Sequence, residues 1–341
     1  MREVFVPVNI TYTTALEFSN ELKQVSLSED RRVVIDFRNF ARGNGRLEPF
    51  GALFIINCIR GFISEMHQSG GTVSINYLSE QEIRNTYARS LRFYSSLGIP
   101  IGQTPDMDYI GSAGANFIPI MKMDISPVKK SVDEYRDIKY ISRQIATVAS
   151  RGNGQLFEYI NYCVIEILRN VTEHSESNYL WYAAQYWSSD NCVEVCIMDE
   201  GIGIQDSLRQ ELGEDEENIL KFSIVPGCSS KPTTHYIEHA DNSGFGLYMI
   251  SEMGRRNGDF IIASNGESLM FARDSENHSI CMNSGTIIRI RLKIDELENY
   301  DVQREQLITE GLELAHKYNT YRERKKYAPG LPLPNLFTSQ S

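Results

Sequence analysis

Three polar side chains with the same spacing interrupt an otherwise apolar helical pattern in residues 166–175, which read EILRNVTEHS. They are Glu166, Asn170 and His174, each four residues from the next. At about 100° per residue, positions four apart differ by only about 40°, so all three share one side of a helix over two turns. The preceding residues 159–165 are strongly apolar, which predicts a helix in the body of a domain. A polar stripe there needs partners, either protein groups or a ligand.

Three further segments combine turn residues with polar groups, in the order MDEGIGI, NSGFGLYMI and SGTIIRI. The first follows a predicted strand and places Asp199 before a Gly-x-Gly turn, where backbone can approach a ligand closely. The second places Gly-x-Gly at the start of a predicted helix, where free N–H groups favour phosphate. The third opens a late strand with a small turn and a hydroxyl. Each segment alone is a weak indication, since Gly-x-Gly most often marks a turn.

The four segments together, in this order and with compatible secondary structure, resemble the N box and the three glycine boxes of the GHKL family of ATP-binding domains. Histidine kinases, anti-sigma-factor serine kinases, gyrase, a heat-shock chaperone and a mismatch-repair ATPase share this domain. The resemblance covers roughly residues 117–294. It implies ATP and Mg²⁺ as cofactors.

The resemblance assigns a role to three of the polar residues. Asn170 supplies its amide oxygen to Mg²⁺, which prefers hard oxygen ligands and keeps several waters. Glu166 accepts a proton from the water or hydroxyl that attacks the γ-phosphate, so it is the expected catalytic residue. Asp199 accepts a hydrogen bond from the adenine amino group.

The same resemblance implies the rest of the nucleotide site. Gly201 and Gly203 leave room for the base, and Thr286 resembles the family threonine that lies beside adenine. His174 has two open readings, a histidine packed at the helix end or a phosphate contact. The loop expected to fold over the phosphates consists of Gly244, Phe245, Gly246 and Leu247.

By resemblance, residues 205–242 correspond to the ATP lid. Ser230 and Lys231 lie ahead of its glycines, and Lys231 either reaches the γ-phosphate as a mobile cation or is solvated. His235 and His239 have helical spacing for a metal pair, but a polar lid produces such spacing by chance, and zinc is not expected.

The first hundred residues alternate apolar strand patterns with helical ones. The segments are EVFVPV, ALEFSNELKQV, RVVIDF, FGALFIINCIRGFISEM, GTVSINYL and EIRNTYARSLRFYSSLG, the last predicted as a helix. Strand and helix in alternation indicate an α/β layer with a mixed or parallel sheet. The irregular stretch after Gly98 is the best boundary, and a new domain is expected to begin near Phe117.

The second half groups its strands late, with helices expected on one side, which favours an α/β sandwich over a doubly wound fold. We therefore predict an α/β protein with a STAS-like α/β domain at residues 1–112 and a GHKL α/β sandwich at 113–300. A C-terminal helix and a Pro-rich tail follow at 301–341.

The STAS-like assignment depends on RVVIDFRNFARGNGRLEPFGALFIINCIRGF, which resembles the central strand, loop and helix of anti-sigma-factor antagonists. In those proteins the loop carries a serine that the partner kinase phosphorylates. Here Glu48, Pro49, Phe50 and Gly51 stand in its place, without a hydroxyl. We expect Glu48 to be a solvated residue on an exposed loop and not a substitute for phosphate charge. The domain would then serve as a fixed docking surface for a protein partner, or as a homodimer contact.

Composition excludes several classes of function. The chain has 34 basic and 45 acidic residues and a net charge of −11, which argues against a general binder of nucleic acid or membrane surfaces. The six cysteines are scattered in apolar contexts, Cys192 and Cys196 as core residues of one strand, and the N-terminus lacks a secretion pattern. A cytoplasmic location is expected. No apolar run approaches the ~20 residues that cross a bilayer.

Two functions remain open. The first is an enzyme, an ATP hydrolase or a protein serine/threonine kinase, in which Glu166 activates the attacking oxygen. The second is a non-catalytic module in which ATP and Mg²⁺ order the lid and set the affinity for a partner. The histidine-kinase reading is disfavoured because no phospho-accepting helix pair precedes the ATP domain. The gyrase and chaperone readings are disfavoured because too few residues follow it for a second catalytic domain. The anti-sigma kinase branch is the nearest, and the presence of Glu166 favours turnover.

Overall fold

The structure is a computed structural model that describes residues 1–28, 30–102, 116–212, 219–228 and 244–325. The strands are β1 Arg2–Phe5, β2 Arg32–Asp36, β3 Thr72–Asn76, β4 Phe117–Asp124, β5 Tyr179–Trp187, β6 Cys192–Asp199, β7 Gly258–Ser264, β8 Glu267–Ala272, β9 Ser275–Ile280 and β10 Thr286–Lys293. The helices are α1 Tyr12–Ser26, α2 Arg38–Arg42, α3 Pro49–Gln68, α4 Thr86–Ser90, α5 Phe93–Ser96, α6 Ser126–Lys129, α7 Glu134–Ser150, α8 Gly154–His174, α9 Gly203–Leu212, α10 Ile219–Phe222, α11 Gly246–Asn257 and α12 Tyr300–Lys325. Short 3-10 turns cover Glu80–Glu82 and Ile294–Glu296.

The first sheet is parallel, with strand order β1-β2-β3, as the alternating strand and helix patterns predict. In its register Val4 lies opposite Ile35, and Ile35 opposite Ile75. Helices α1 and α3 pack against each other and against this sheet. The inward side chains of the strands and of both helices belong to one apolar core.

The helix expected from EIRNTYARSLRFYSSLG does not form as one piece. The segment folds as a 3-10 turn followed by the short helices α4 and α5. Arg92, between these two helices, has a φ of 64°, which lies in the left-handed region and ends the helical hydrogen bonding. The apolar spacing of a helix is present, but the local backbone turns away after Leu91.

The second sheet has seven strands in the order β4-β5-β6-β10-β7-β8-β9, and each neighbouring pair is antiparallel. The last long strand, β10, therefore inserts between β6 and β7. Helices α7, α8 and α11 share an apolar core with one face of this sheet. Strand β9 was not expected, because its residues SENHSI are polar and largely exposed and carry no apolar alternation.

Helix α3 joins the two sheets. Its apolar side chains are almost fully buried, and it contacts β5, β6 and β10 on the face opposite α8. The core of the first sheet is therefore continuous with that face of the second, through side chains such as Phe54, Trp181 and Cys196. Of the helices in the described ranges, α3 alone is long and apolar enough to cross a membrane, but 72% of its most apolar stretch is buried inside the protein.

An ionic cluster at the start of α3 corrects the expectation for Glu48. This residue is only 5% exposed, and its carboxylate pairs with Arg289 at 3.5 Å and Arg291 at 3.0 Å, both on β10. Glu194 on β6 is completely buried beside them and accepts a hydrogen bond of 2.8 Å from the backbone N–H of Phe50. The prediction of a solvated Glu48 was wrong because the sequence does not show that two arginines of a distant strand neutralise it.

Helix α12 packs against α8 and α11. Its Gln303 side chain is buried and accepts hydrogen bonds from Tyr159 and Asn257, each at 2.8 Å. Near the other end, the ring of Tyr318 lies 5.9 Å from that of Phe222 in α10. The helix thus spans from the body of the domain to the segment around residues 219–228.

Candidate functional site

A pocket opens where the end of α8 faces the ends of strands β6 and β10. It holds about 780 Å³ of empty space, part of it open to solvent. Two short segments, α9 and residues 223–228, form its other side. Eight of the residues selected from the sequence line it: Asn170, His174, Asp199, Gly203, Gly244, Gly246, Leu247 and Thr286. Glu166, Gly201 and Phe245 adjoin these residues along the chain but are not part of the pocket wall.

Asp199 is the buried acid of this pocket. It ends β6, is 3% exposed and lies directly opposite Thr286 in the register of β10. Its Oδ1 accepts a hydrogen bond of 2.8 Å from the N–H of Gly201. Burial raises the pKa of Asp199 to about 6, against the lowering effect of hydrogen bonds from the backbone of Gly201 and Thr286. A buried carboxylate with a raised pKa in a pocket is typical of a functional group.

Lys129 is a pocket neighbour that sequence reasoning missed. Its positive charge acts on Asp199 and lowers the pKa of that carboxyl, as a smaller effect than burial. Desolvation in turn lowers the pKa of Lys129. The residue lies in the short helix α6, far from Asp199 along the chain, and the letters SPVKK carry no motif that would have identified it.

Two polar residues at the turn between β7 and β8 hold the loops around Asp199. Ser264 accepts a hydrogen bond from the N–H of Ile204 at 2.9 Å and donates one to the carbonyl of Gly285 at 3.1 Å. Asn265 donates to the carbonyl of Ile202 at 2.6 Å and accepts from the N–H of Gly285 at 3.2 Å. Sequence reasoning missed both residues, because their partners are brought together only by the pairing of β7 with β10.

Only glycine fits at position 203, for two reasons. Its φ of +78° lies in the left-handed region, which a side chain disfavours. A Cβ at this position would also overlap the side chain of Asn265. Gly203, the second glycine of the Gly-x-Gly turn after β6, is therefore needed for the turn to pack closely against the β7–β8 turn.

Asn170 and His174 lie on the pocket side of α8. The Asn170 amide is partly buried, and its Nδ2 has no hydrogen-bond acceptor within the described part of the chain. This amide therefore has hydrogen-bonding capacity left for a ligand. His174 is the last residue of α8, with its Nε2 3.8 Å from a carboxylate oxygen of Glu173. Of the two readings of His174, the pocket position is compatible with a phosphate contact, and the neighbouring carboxylate with a packed helix end.

Glu166 lies against the start of α11. A Cβ on Gly246 would overlap the Glu166 carboxylate, so the glycine allows the two helices to approach. Arg169, which was not selected from the sequence, pairs with Glu166 at 3.5 Å and with Glu173 at 3.5 Å. The polar side of α8 therefore has two environments. Asn170 and His174 face the pocket, whereas Glu166 pairs with an arginine of the same helix.

The glycine loop ends at α11, whose first residue is Gly246. Because the first amides of a helix have no acceptor within it, this end can donate to an anion. Phe245 precedes the helix and packs edge-on against Tyr248 and beside Gly311 of α12. Ser230, Lys231, His235 and His239 lie outside the described residues.

The described ranges contain no group of three or more His, Cys, Asp or Glu side chains that could hold a metal ion. All six cysteines are buried free thiols, and burial raises the pKa of both Cys192 and Cys196, which keeps them neutral. A cation in the pocket would therefore need ligands from a bound molecule in addition to the protein. The Asn170 side chain carries an amide oxygen on the pocket side of α8, and one oxygen ligand from protein is common for Mg²⁺ beside phosphates.

Fold and site define an α/β protein with a partly enclosed pocket that combines a buried carboxylate, an available amide and a helix N-terminus. A scan against models of known protein families matched none of them. A search of curated proteins found no significant relative.

Proposed function

We propose that this chain is a GHKL-type regulatory protein that binds ATP with Mg²⁺ in the pocket. In this proposal residues 1–112 form a STAS-like α/β domain, and residues 113–300 form a GHKL α/β sandwich. The observation that carries the proposal is the convergence of four segments that are far apart in the sequence. Their residues Asn170, Asp199, Gly246 and Thr286 all line one pocket.

The pocket has two chemically different ends, which fits a nucleotide. Around Asp199 and Thr286 its wall includes the apolar side chains of Ile197 and Ile288. This end suits a flat base whose amino group donates to the Asp199 carboxylate. Near Asn170 and Gly246 the lining includes an amide, the His174 ring and a helix N-terminus, which suits phosphates.

The phosphate end has groups for both binding and proton transfer. Asn170 would hold Mg²⁺ together with the phosphates, and the ion would supply positive charge to the phosphate oxygens. Glu166, one turn earlier on α8, would accept the proton of the attacking water or hydroxyl. Gly246 keeps the N-terminus of α11 close to Glu166. These roles support turnover, as an ATP hydrolase or a protein serine/threonine kinase.

A nucleotide-gated interaction module is the second candidate. Two observations favour it: Glu166 pairs with Arg169, and its carboxylate is not part of the pocket wall. In this case nucleotide binding would set the affinity for a partner, which would be another protein that binds the first domain or a second copy of this chain. The buried free cysteines fit a cytoplasmic location in either case.

Calorimetry with Mg-ATP tests the binding proposal. Asn170→Ala is expected to weaken binding at least tenfold while the domain stays folded, because it removes the only protein oxygen assigned to Mg²⁺. Asn161→Ala is the matched control, since Asn161 lies on the same helix but bonds Ser142 of α7. Unchanged affinity and Mg²⁺ dependence in Asn170→Ala would remove this residue from the site.

A labelling experiment separates the candidate activities. With γ-labelled ATP, release of free phosphate indicates an ATP hydrolase, and label on protein indicates a kinase. Binding without either product supports the interaction module. Absence of ATP binding to the wild-type chain would contradict the whole proposal.

A further inference from the structure

Helix α3 of the N-terminal region contacts the backbone next to the proposed base site. Asn57 donates from Nδ2 to the carbonyl of Ser284 at 2.9 Å, and its Oδ1 accepts from the N–H of Ser284 at 3.0 Å. The side chain thus pairs with both backbone groups of one residue, as a residue of a neighbouring antiparallel strand would. Asn57 is 3% exposed, so these bonds are shielded from water.

One turn further along α3, Arg60 pairs with Glu200 at 2.9 Å. Its guanidinium also lies 5.3 Å from the ring centre of Trp181 on β5. This pair is partly exposed, so salt and water weaken it. It nevertheless adds a second attachment between α3 and the pocket loops.

Both attachment points lie next to the base site, at the end of the strand pair that carries Asp199 and Thr286. Ser284 comes two residues before Thr286, and Glu200 follows Asp199 directly. Asp199 and Thr286 are opposite each other in the β6–β10 register, so α3 holds the two chain segments that leave this pair. The Cys58 thiol donates a hydrogen bond of 2.6 Å to the carbonyl of Met282. This is a further contact between α3 and the segment that leads to Thr286.

The geometry points to a role for α3 as the element that positions the base-recognition loops, with Asn57 and Arg60 as positioning residues. The inference rests on the proposed ATP site and adds a way in which a partner could regulate base binding at that site. A protein partner that shifts α3 through the N-terminal region moves the turn after Asp199 and the turn before Thr286, and thereby changes the affinity for the base. Neither Asn57 nor Arg60 touches the phosphates, so the phosphate end keeps its own affinity.

The first test replaces Asn57 by leucine, which has a similar shape but forms no hydrogen bond. Calorimetry measures the Kd of Mg-ATP, Mg-GTP and magnesium tripolyphosphate, which has no base. We expect Asn57→Leu to weaken ATP binding about tenfold, to bring the ATP and GTP affinities closer together and to leave tripolyphosphate unchanged. Gln68→Ala, an exposed change on the same helix, serves as the control.

The second test uses the surface pair, whose variants do not disturb the core. Arg60→Glu and Glu200→Arg are each expected to weaken ATP binding about threefold by placing like charges together, and the double variant is expected to restore it. A role in stability alone would lower the Tm without changing the ratio of ATP to GTP affinity.

The outcomes distinguish this inference from the proposed function. Wild-type protein that binds neither Mg-ATP nor tripolyphosphate contradicts both. Wild-type protein that binds Mg-ATP, together with Asn57→Leu and charge variants that keep the wild-type ATP to GTP ratio, overturns the positioning role alone. Equal weakening of ATP and tripolyphosphate also overturns it, because the effect would then not be specific to the base end.

Discussion

Replacing Asp199 by asparagine removes a charge that burial makes unfavourable. The carboxyl has an ordinary pKa of 3.8 and a pKa of about 6 in the folded protein, raised chiefly by burial. Since one pKa unit corresponds to about 1.4 kcal/mol, the ionised form lowers the stability of the folded state by about 3 kcal/mol at neutral pH. The asparagine keeps an oxygen that accepts the Gly201 N–H bond, so the neutral side chain is expected to fit.

The pH dependence of this effect has a defined sign. Between about pH 3.8 and 6 the folded protein holds a proton on Asp199 that the unfolded chain has released, so stability falls as the pH rises. The loss is absent below pH 3.8 and complete above pH 6. Asp199→Asn is therefore expected to raise the free energy of unfolding by up to about 3 kcal/mol at pH 8 and to change it little at pH 4.

Urea unfolding of both proteins from pH 4 to 8, without nucleotide, measures this difference. Asp36→Asn is a control of opposite sign, because the hydrogen bond from Arg38 lowers the pKa of Asp36. That variant should be less stable than wild type by a nearly constant amount across this range, because the deficit shrinks only below about pH 3.8. An Asp199→Asn protein that is less stable than wild type at pH 8, or a difference that does not change with pH, would refute the reasoning.

Three other variants test the proposed catalytic group, the ionic cluster at the start of α3 and the packing of α12. Glu166→Ala should keep Mg-ATP affinity and lower turnover about 10²-fold or more, measured as phosphate release; equal loss of binding would indicate a structural carboxylate. Glu194→Ala should lower the free energy of unfolding by about 3–5 kcal/mol, because it removes one of the two buried carboxylates that pair with Arg291 and leaves the buried N–H of Phe50 without its acceptor. A loss under about 1 kcal/mol would show that water reaches this cluster. Tyr318→Ala should cost about 3–5 kcal/mol by calorimetric unfolding, whereas Leu312→Ala, at a half-exposed position of the same helix, should be nearly neutral.

The site residues that could be predicted from the sequence are those whose meaning is local. Asn170 and His174 share a helix face because of helical spacing alone, and both line the pocket. Asp199 ends a buried strand and is followed by glycines, a pattern that fixes both its position and the turn after it. The α/β class follows in the same way from alternating strand and helix patterns, since each pattern needs only neighbouring residues.

The remaining features depend on contacts between segments far apart in the chain. Asn265 reaches the pocket loops because β7 pairs with β10, and Lys129 acts on Asp199 only through the fold. Glu48 is buried because Arg289 and Arg291 come from a strand that follows it by more than two hundred positions. Periodicity carries no information on such pairings, so polar residues that stabilise a pocket from a second segment look like ordinary surface residues.

The position of α3 between the two sheets also determines when the protein can finish folding during translation. Helix α3 leaves the ribosome early, but β10, one of the strands on which it packs, is among the last elements to be made. At ordinary elongation rates the interval is roughly 10–40 seconds. During this time the apolar side of α3 that later covers the second sheet is exposed to water. We therefore expect chains truncated before β10 to aggregate instead of accumulating as a folded fragment.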